Sequence, residues 1–187
     1  MKELPENYKL ILSLDLQNNK KQFWIVNILS FLIMIPMLII GHLYTSIFNL
    51  FDNPVQMIFL GIGVIVYMVL HEMVHGIFMY YYSKEKPFFG FTGAYAYAGS
   101  NCYYYKKPYL IIALSPIVIL GIIIFILNII LPEYFWIIYF IQVANISGAA
   151  GDLYVTYKFM KLNDNVLVKD IGISMDVYGV KNDSEIV

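Results

Sequence analysis

Between Val55 and Tyr82 the only ionisable side chains other than tyrosine are His71, Glu72 and His75. The rest of that stretch is apolar, and about 20 such residues are enough to cross the hydrocarbon core of a bilayer as a helix. Ionisable groups in that setting are costly unless they find partners, and by default they mark function. Here they form one pattern, His71-Glu72-Met73-Val74-His75. Histidines at i and i+4 stand one above the other on a helical face, so both rings can turn to one metal ion with the glutamate beside it. The alternative is a pair of core histidines satisfied by neighbouring carbonyls. In a chain with three histidines this spacing rarely arises by chance, and metal binding leads.

The composition fits a membrane protein. Of 187 residues, 60% are hydrophobic and 13% charged, and the mean hydropathy is +0.68, well outside the range of ordinary soluble domains. A net charge of -1 offers nothing to nucleic acid. The single cysteine, Cys102, excludes an internal disulfide framework and CxxC metal sites.

Along the chain, residues 1–21 are polar, with Leu10, Leu12, Leu14 and Leu16 alternating against Ile11, Ser13 and Asp15. That period is nearer a strand than a helix. The leader is too long for a signal peptide and lacks a small-residue cleavage site. Four uncharged or nearly uncharged runs follow, at about 23–44, 55–82, 109–131 and 134–157. Residues 83–107 are irregular, and Phe88 to Gly99 mixes glycines with aromatics. That mixture suggests extended strands or a hairpin, either dipping back towards the membrane or forming an interfacial aromatic belt. The expected fold is therefore an all-α membrane protein of four transmembrane helices. A short β-like or re-entrant segment lies between the second and third, and residues 1–187 form a single unit.

The lysines agree with four spans. They fall at Lys2, Lys9, Lys20 and Lys21, then Lys84, Lys86, Lys106 and Lys107, then Lys158, Lys161, Lys169 and Lys181, and no arginine is present. With four crossings all three groups share one side, which predicts cytoplasmic termini and a cytoplasmic central loop. At helical rise, His71 and His75 then lie roughly 10–16 Å from that face and Asp152 roughly 8 Å. Those depths match within the uncertainty of span ends. His42 lies towards the opposite face and reads as an interfacial histidine. Two neutral imidazoles holding a divalent cation would offset the cost of a buried Asp152 carboxylate. Its competing role is an ion pair with Lys158 or Lys161, or a hydrogen bond to Tyr154 or Asn145.

At this point the residues resemble a known family, the zincin peptidases among small bacterial membrane proteins, itself similar to the site-2 protease class of intramembrane metalloproteases. The matching pieces are the His71–His75 motif, Ser115-Pro116 at the entry to the next span, and the stretch from Ser147 through Asp152 to Tyr154. The leader and the Asp-containing tail extend the likeness over most of the chain. The resemblance implies zinc held by His71, His75 and Asp152, with Glu72 as the base. It also implies a multi-pass protein of the bacterial cell membrane. One departure is visible, because site-2 proteases typically have proline and an Asp-Gly pair around the aspartate, whereas Gly151 precedes Asp152 and Leu153 follows it.

The expected function is hydrolysis of peptide bonds in membrane-embedded or membrane-associated protein or peptide substrates near the cytoplasmic face. Glu72 would take a proton from the attacking water and deliver it to the leaving amine. Asn145, seven residues before Asp152, shares its helical face and is a candidate for binding substrate backbone, with a helix–helix hydrogen bond as the alternative. Other classes remain open: a non-catalytic membrane binding protein that keeps the metal site, or a small metal-ion transporter. Glu72 favours catalysis, since metal binding does not require it. The outer halves of the second and fourth spans, which carry no ionisable residue deep in the membrane, argue against transport.

Overall fold

Three helices carry the first three apolar runs in the computed structural model, which describes residues 1–181 apart from Gln17 and Ala94. These are α1 (Lys20–Tyr44), α2 (Pro54–Ser83) and α3 (Lys106–Ile130), each long and apolar enough to cross a membrane. At 1.5 Å per residue they extend roughly 37–45 Å, more than the hydrocarbon core of about 30 Å. Their ends follow local chemistry. The Asn19 side chain accepts from the backbone N–H groups of Lys21 and Gln22 at the start of α1. Asn53 caps α2 by accepting from Val55, with Pro54 in the first turn, where its missing N–H costs nothing. Lys84 closes α2 in the left-handed conformation at φ 60°. The outward faces are apolar and exposed, Leu32, Leu43, Ile58 and Ile129 among them, as lipid contact requires.

The fourth expected span, 134–157, does not form one helix. It divides into α4 (Phe135–Ser147) and α5 (Ala150–Met160), of 13 and 11 residues. Those lengths are roughly 20 and 17 Å, so neither crosses a bilayer alone. The break falls at Gly148-Ala149, just after Ser147, whose Oγ turns back to the Val143 carbonyl at 2.8 Å. Glycine is a poor helix former and a serine bonded back to the backbone bends a helix, so hydropathy alone does not carry the run through.

Nor is the protein all-α. Six strands are present among the described residues: β1 (Tyr8–Leu14), β2 (Phe88–Phe91), β3 (Ala96–Gly99), β4 (Tyr103–Tyr105), β5 (Val166–Asp170) and β6 (Met175–Val180). Four of them build an antiparallel sheet in the order β1-β6-β5-β4. Tyr8 faces Val180, Val166 faces Gly179 and Tyr104 faces Val168. The leader and the tail therefore pair across nearly the whole chain. β5 is buried on both faces and shows no alternation, so its sequence alone does not distinguish it from a short core segment. The segment between α2 and α3 is not a re-entrant loop. It forms the β2–β3 hairpin and then β4 of the large sheet. Thr92 N–H donates to the Tyr95 carbonyl at 3.0 Å across the hairpin turn, and Gly93 there has φ 88°. Gln17 in the leader, Ala94 in this segment and the last six positions of the expected 1–187 unit lie outside the described residues.

The sheet joins the start of α1, the end of α2, the start of α3 and the end of α5, so every lysine lies at this end. Leu14, Tyr104, Phe159, Val168 and Val177 form the core between sheet and helices. Asp170 ties the layers together: its carboxylate accepts from Tyr109 Oη on α3 and from Gly172 N–H at 2.7 Å. Gly172, at φ 85°, lies where any side chain would collide with the Tyr97 ring of β3. At the far end, Trp136 Nε1 donates to the Ser46 carbonyl at 2.7 Å and Tyr139 Oη to that of Met37 at 2.6 Å. These two bonds hold α4 to α1 and the loop after it.

Phe159 is completely buried, whereas Leu43 is 80% exposed. Phe159→Ala is expected to lower unfolding free energy by about 3–5 kcal/mol, and Leu43→Ala by less than about 0.5 kcal/mol, in detergent denaturation. Equal losses would contradict this placement of the core.

Candidate metal centre

α2 brings His71 and His75 to its buried face one turn apart, with ring centroids 4.9 Å apart. The break before α5 sets Asp152 in that helix's first turn, opposite them. Asp152 Oδ2 lies 3.3 Å from His71 Nε2, and its Oδ1 lies 3.6 Å from His75 Nε2. One ligand atom from each of the three falls within 4.8 Å of the others. A tetrahedral ion bonded at about 2.0–2.1 Å keeps its ligand atoms roughly 3.3 Å apart. Two imidazole nitrogens and a carboxylate oxygen are donors that zinc accepts, and three protein ligands leave a fourth position open. The residues present therefore fit a zinc ion. Both histidine side chains are nearly buried, at 11% and 10% exposed, while Asp152 keeps 26%, so the cluster opens on the Asp152 side.

Each histidine presents Nε2 because Nδ1 is engaged elsewhere. His71 Nδ1 lies 3.0 Å from Tyr67 Oη, and His75 Nδ1 lies 2.9 Å from the Ile112 carbonyl on α3. Such partners orient the ring and select its tautomer. Glu72, on the adjacent position of α2, is half-buried, and β3 packs against that helix. The hairpin reaches this far because Gly76 has no side chain. A Cβ there would stand 2.5 Å from Cζ of Phe89.

The structure thus brings His71, His75 and Asp152 to one place, with Glu72 next to His71 on α2. Asn145 is fully buried and spends its Nδ2 on the Ile117 carbonyl of α3 at 3.1 Å, while its Oδ1 has no partner among the described residues. His42 is at the opposite end, where its Nδ1 accepts from Ile47 N–H at 3.2 Å. Sequence reasoning misses Tyr67 and the Ile112 carbonyl. Tyr67 had a usable signal, a phenol one helical turn before His71 on the same face. A backbone carbonyl carries no residue-type signal of its own.

Fold and site together describe a membrane-associated helical protein with a His-His-Asp group that could hold a metal ion. A family described as "Putative zincin peptidase" matches residues 64–167, more than half of the chain, and the chain belongs to that family. The matched region contains all three metal-site residues and Glu72, and the family's description implies a zinc metallopeptidase. No curated protein and no solved structure matches the chain.

Removing the Tyr67 hydroxyl leaves His71 Nδ1 without its partner. Tyr67→Phe is expected to weaken zinc binding by about 10-fold or more in competition against a chromophoric chelator. Affinity equal to wild type would show that the phenol does not orient the ring.

Proposed function

We propose that the protein is an intramembrane zinc metalloprotease of the site-2 type, cutting membrane-embedded or membrane-associated polypeptides. The observation that carries this is the convergence of His71, His75 and Asp152 with Glu72 beside them, on helices apolar enough to cross a membrane. His71 and His75 supply Nε2 and Asp152 a carboxylate oxygen to hold zinc. Bound there, zinc supplies Lewis acidity, making water acidic enough to deprotonate near neutral pH and polarising a carbonyl. Glu72 is the general base. Its carboxylate takes the proton of the water that attacks the scissile carbonyl and passes it to the amine nitrogen as the C–N bond breaks.

His75 and His71 lie about 8 and 12 residues from the sheet end of α2, roughly 12–18 Å along the helix. With every lysine at that end, the positive-inside rule supports a cytoplasmic sheet and cytoplasmic termini. Substrate would then be cut on the cytoplasmic side of the bilayer.

Two variants separate the roles. Detergent-purified wild type is expected to carry about one zinc per chain, Asp152→Ala much less, and Glu72→Gln as much as wild type. Cells expressing the wild type should show new N-termini in membrane proteins that cells expressing Glu72→Gln lack. Zinc in both proteins with identical N-termini would favour a binding protein that keeps a protease-like metal site. No zinc in either would overturn the metalloprotease assignment.

A further inference from the structure

We propose that Pro116 is a positioning residue for the metal centre, which it serves by withholding a backbone N–H. In an α-helix the carbonyl of residue i accepts from the N–H of residue i+4. For Ile112 that residue is Pro116, which lies inside α3 and has no N–H to give. The Ile112 carbonyl is thereby left without its helical partner in an apolar interior, where an unsatisfied polar group is costly. Two other donors take its place. Ser115 Oγ reaches it at 2.9 Å, and His75 Nδ1 reaches it at 2.9 Å from the neighbouring helix. A carbonyl has two lone pairs, and these two donors use both.

The consequence falls on the metal ligand. A neutral imidazole that donates from Nδ1 presents an unprotonated Nε2, and His75 Nε2 is the atom that faces Asp152 Oδ1 at 3.6 Å. The ring is oriented by a carbonyl on α3 that is available because the residue one turn later is proline. The alternative role for Pro116, a side chain less than 2% exposed, is packing or a helix bend, with no bearing on the metal. This inference deepens the zinc reading of the site and rests on it.

Pro116→Ala restores an N–H that competes with His75 for Ile112, while alanine is the better helix former, so the helix itself is not threatened. A second variant carries the α-hydroxy acid analogue of alanine at position 116, which puts an ester oxygen where the N–H would be. That variant lacks the proline ring and also lacks the donor. Zinc affinity would be measured on each detergent-purified protein by competition with a chromophoric chelator, alongside its thermal transition. The expected result is a loss of about 10–100-fold in Pro116→Ala, wild-type affinity in the hydroxy-acid variant, and no lowered transition in either. Equal affinity in wild type and Pro116→Ala overturns the inference and leaves the metal site standing. Equal losses in both variants assign Pro116 to packing and overturn it as well. A wild type that binds no zinc removes the metal reading and this inference together.

Discussion

The apolar interior of the helix bundle leaves its ionisable groups almost no partners but one another. His71, His75 and Asp152 meet because a carboxylate and two imidazoles in such surroundings are costly apart. Other features follow from that meeting. α2 must show its two histidines to one side, α5 must begin where Asp152 can face them, and both outer ring nitrogens must be satisfied from nearby. Tyr67 satisfies one from within the same helix and Ile112 the other from α3.

Under this constraint the irregular parts of the chain have physical uses. A continuous fourth helix would place Asp152 by the turn of one long rod. The break at Gly148 and Ala149 instead gives α5 a start of its own, with Asp152 in its first turn, near the N-terminal dipole that favours a negative charge. The sheet gathers the ends of α1, α2, α3 and α5, so the helices that carry the site are tied at one end. β3 packs against α2, and Gly76 is the small residue that permits the approach of Phe89.

Much of the site is legible without the fold. His71 and His75 share a motif spaced by the helical repeat, so one helix is enough to bring them together. Asp152 is reachable by depth arithmetic, because a carboxylate inside the membrane at the height of two histidines is costly unless it joins them. The fold is less legible. Hydropathy finds α1, α2 and α3 closely, yet it joins α4 to α5, since a window average does not register a two-residue interruption among apolar neighbours. The strand period of the leader is visible around Leu10 to Leu16, but its partner β6 lies at the other end of the chain. Pairing at that separation leaves no local mark in either segment.

What the sequence determined by itself is what local periodicity and transfer free energy can encode. That covers three apolar helices, a His-Glu-x-x-His face on the second, and lysines gathered at one end. The tertiary structure decided which tail strand meets which leader strand, where the fourth apolar run breaks, and which ring nitrogen of each histidine is left to face Asp152. Those outcomes depend on contacts between distant segments. In the case of Ile112 the contact is made by a backbone carbonyl, a group every residue carries and only the fold can single out.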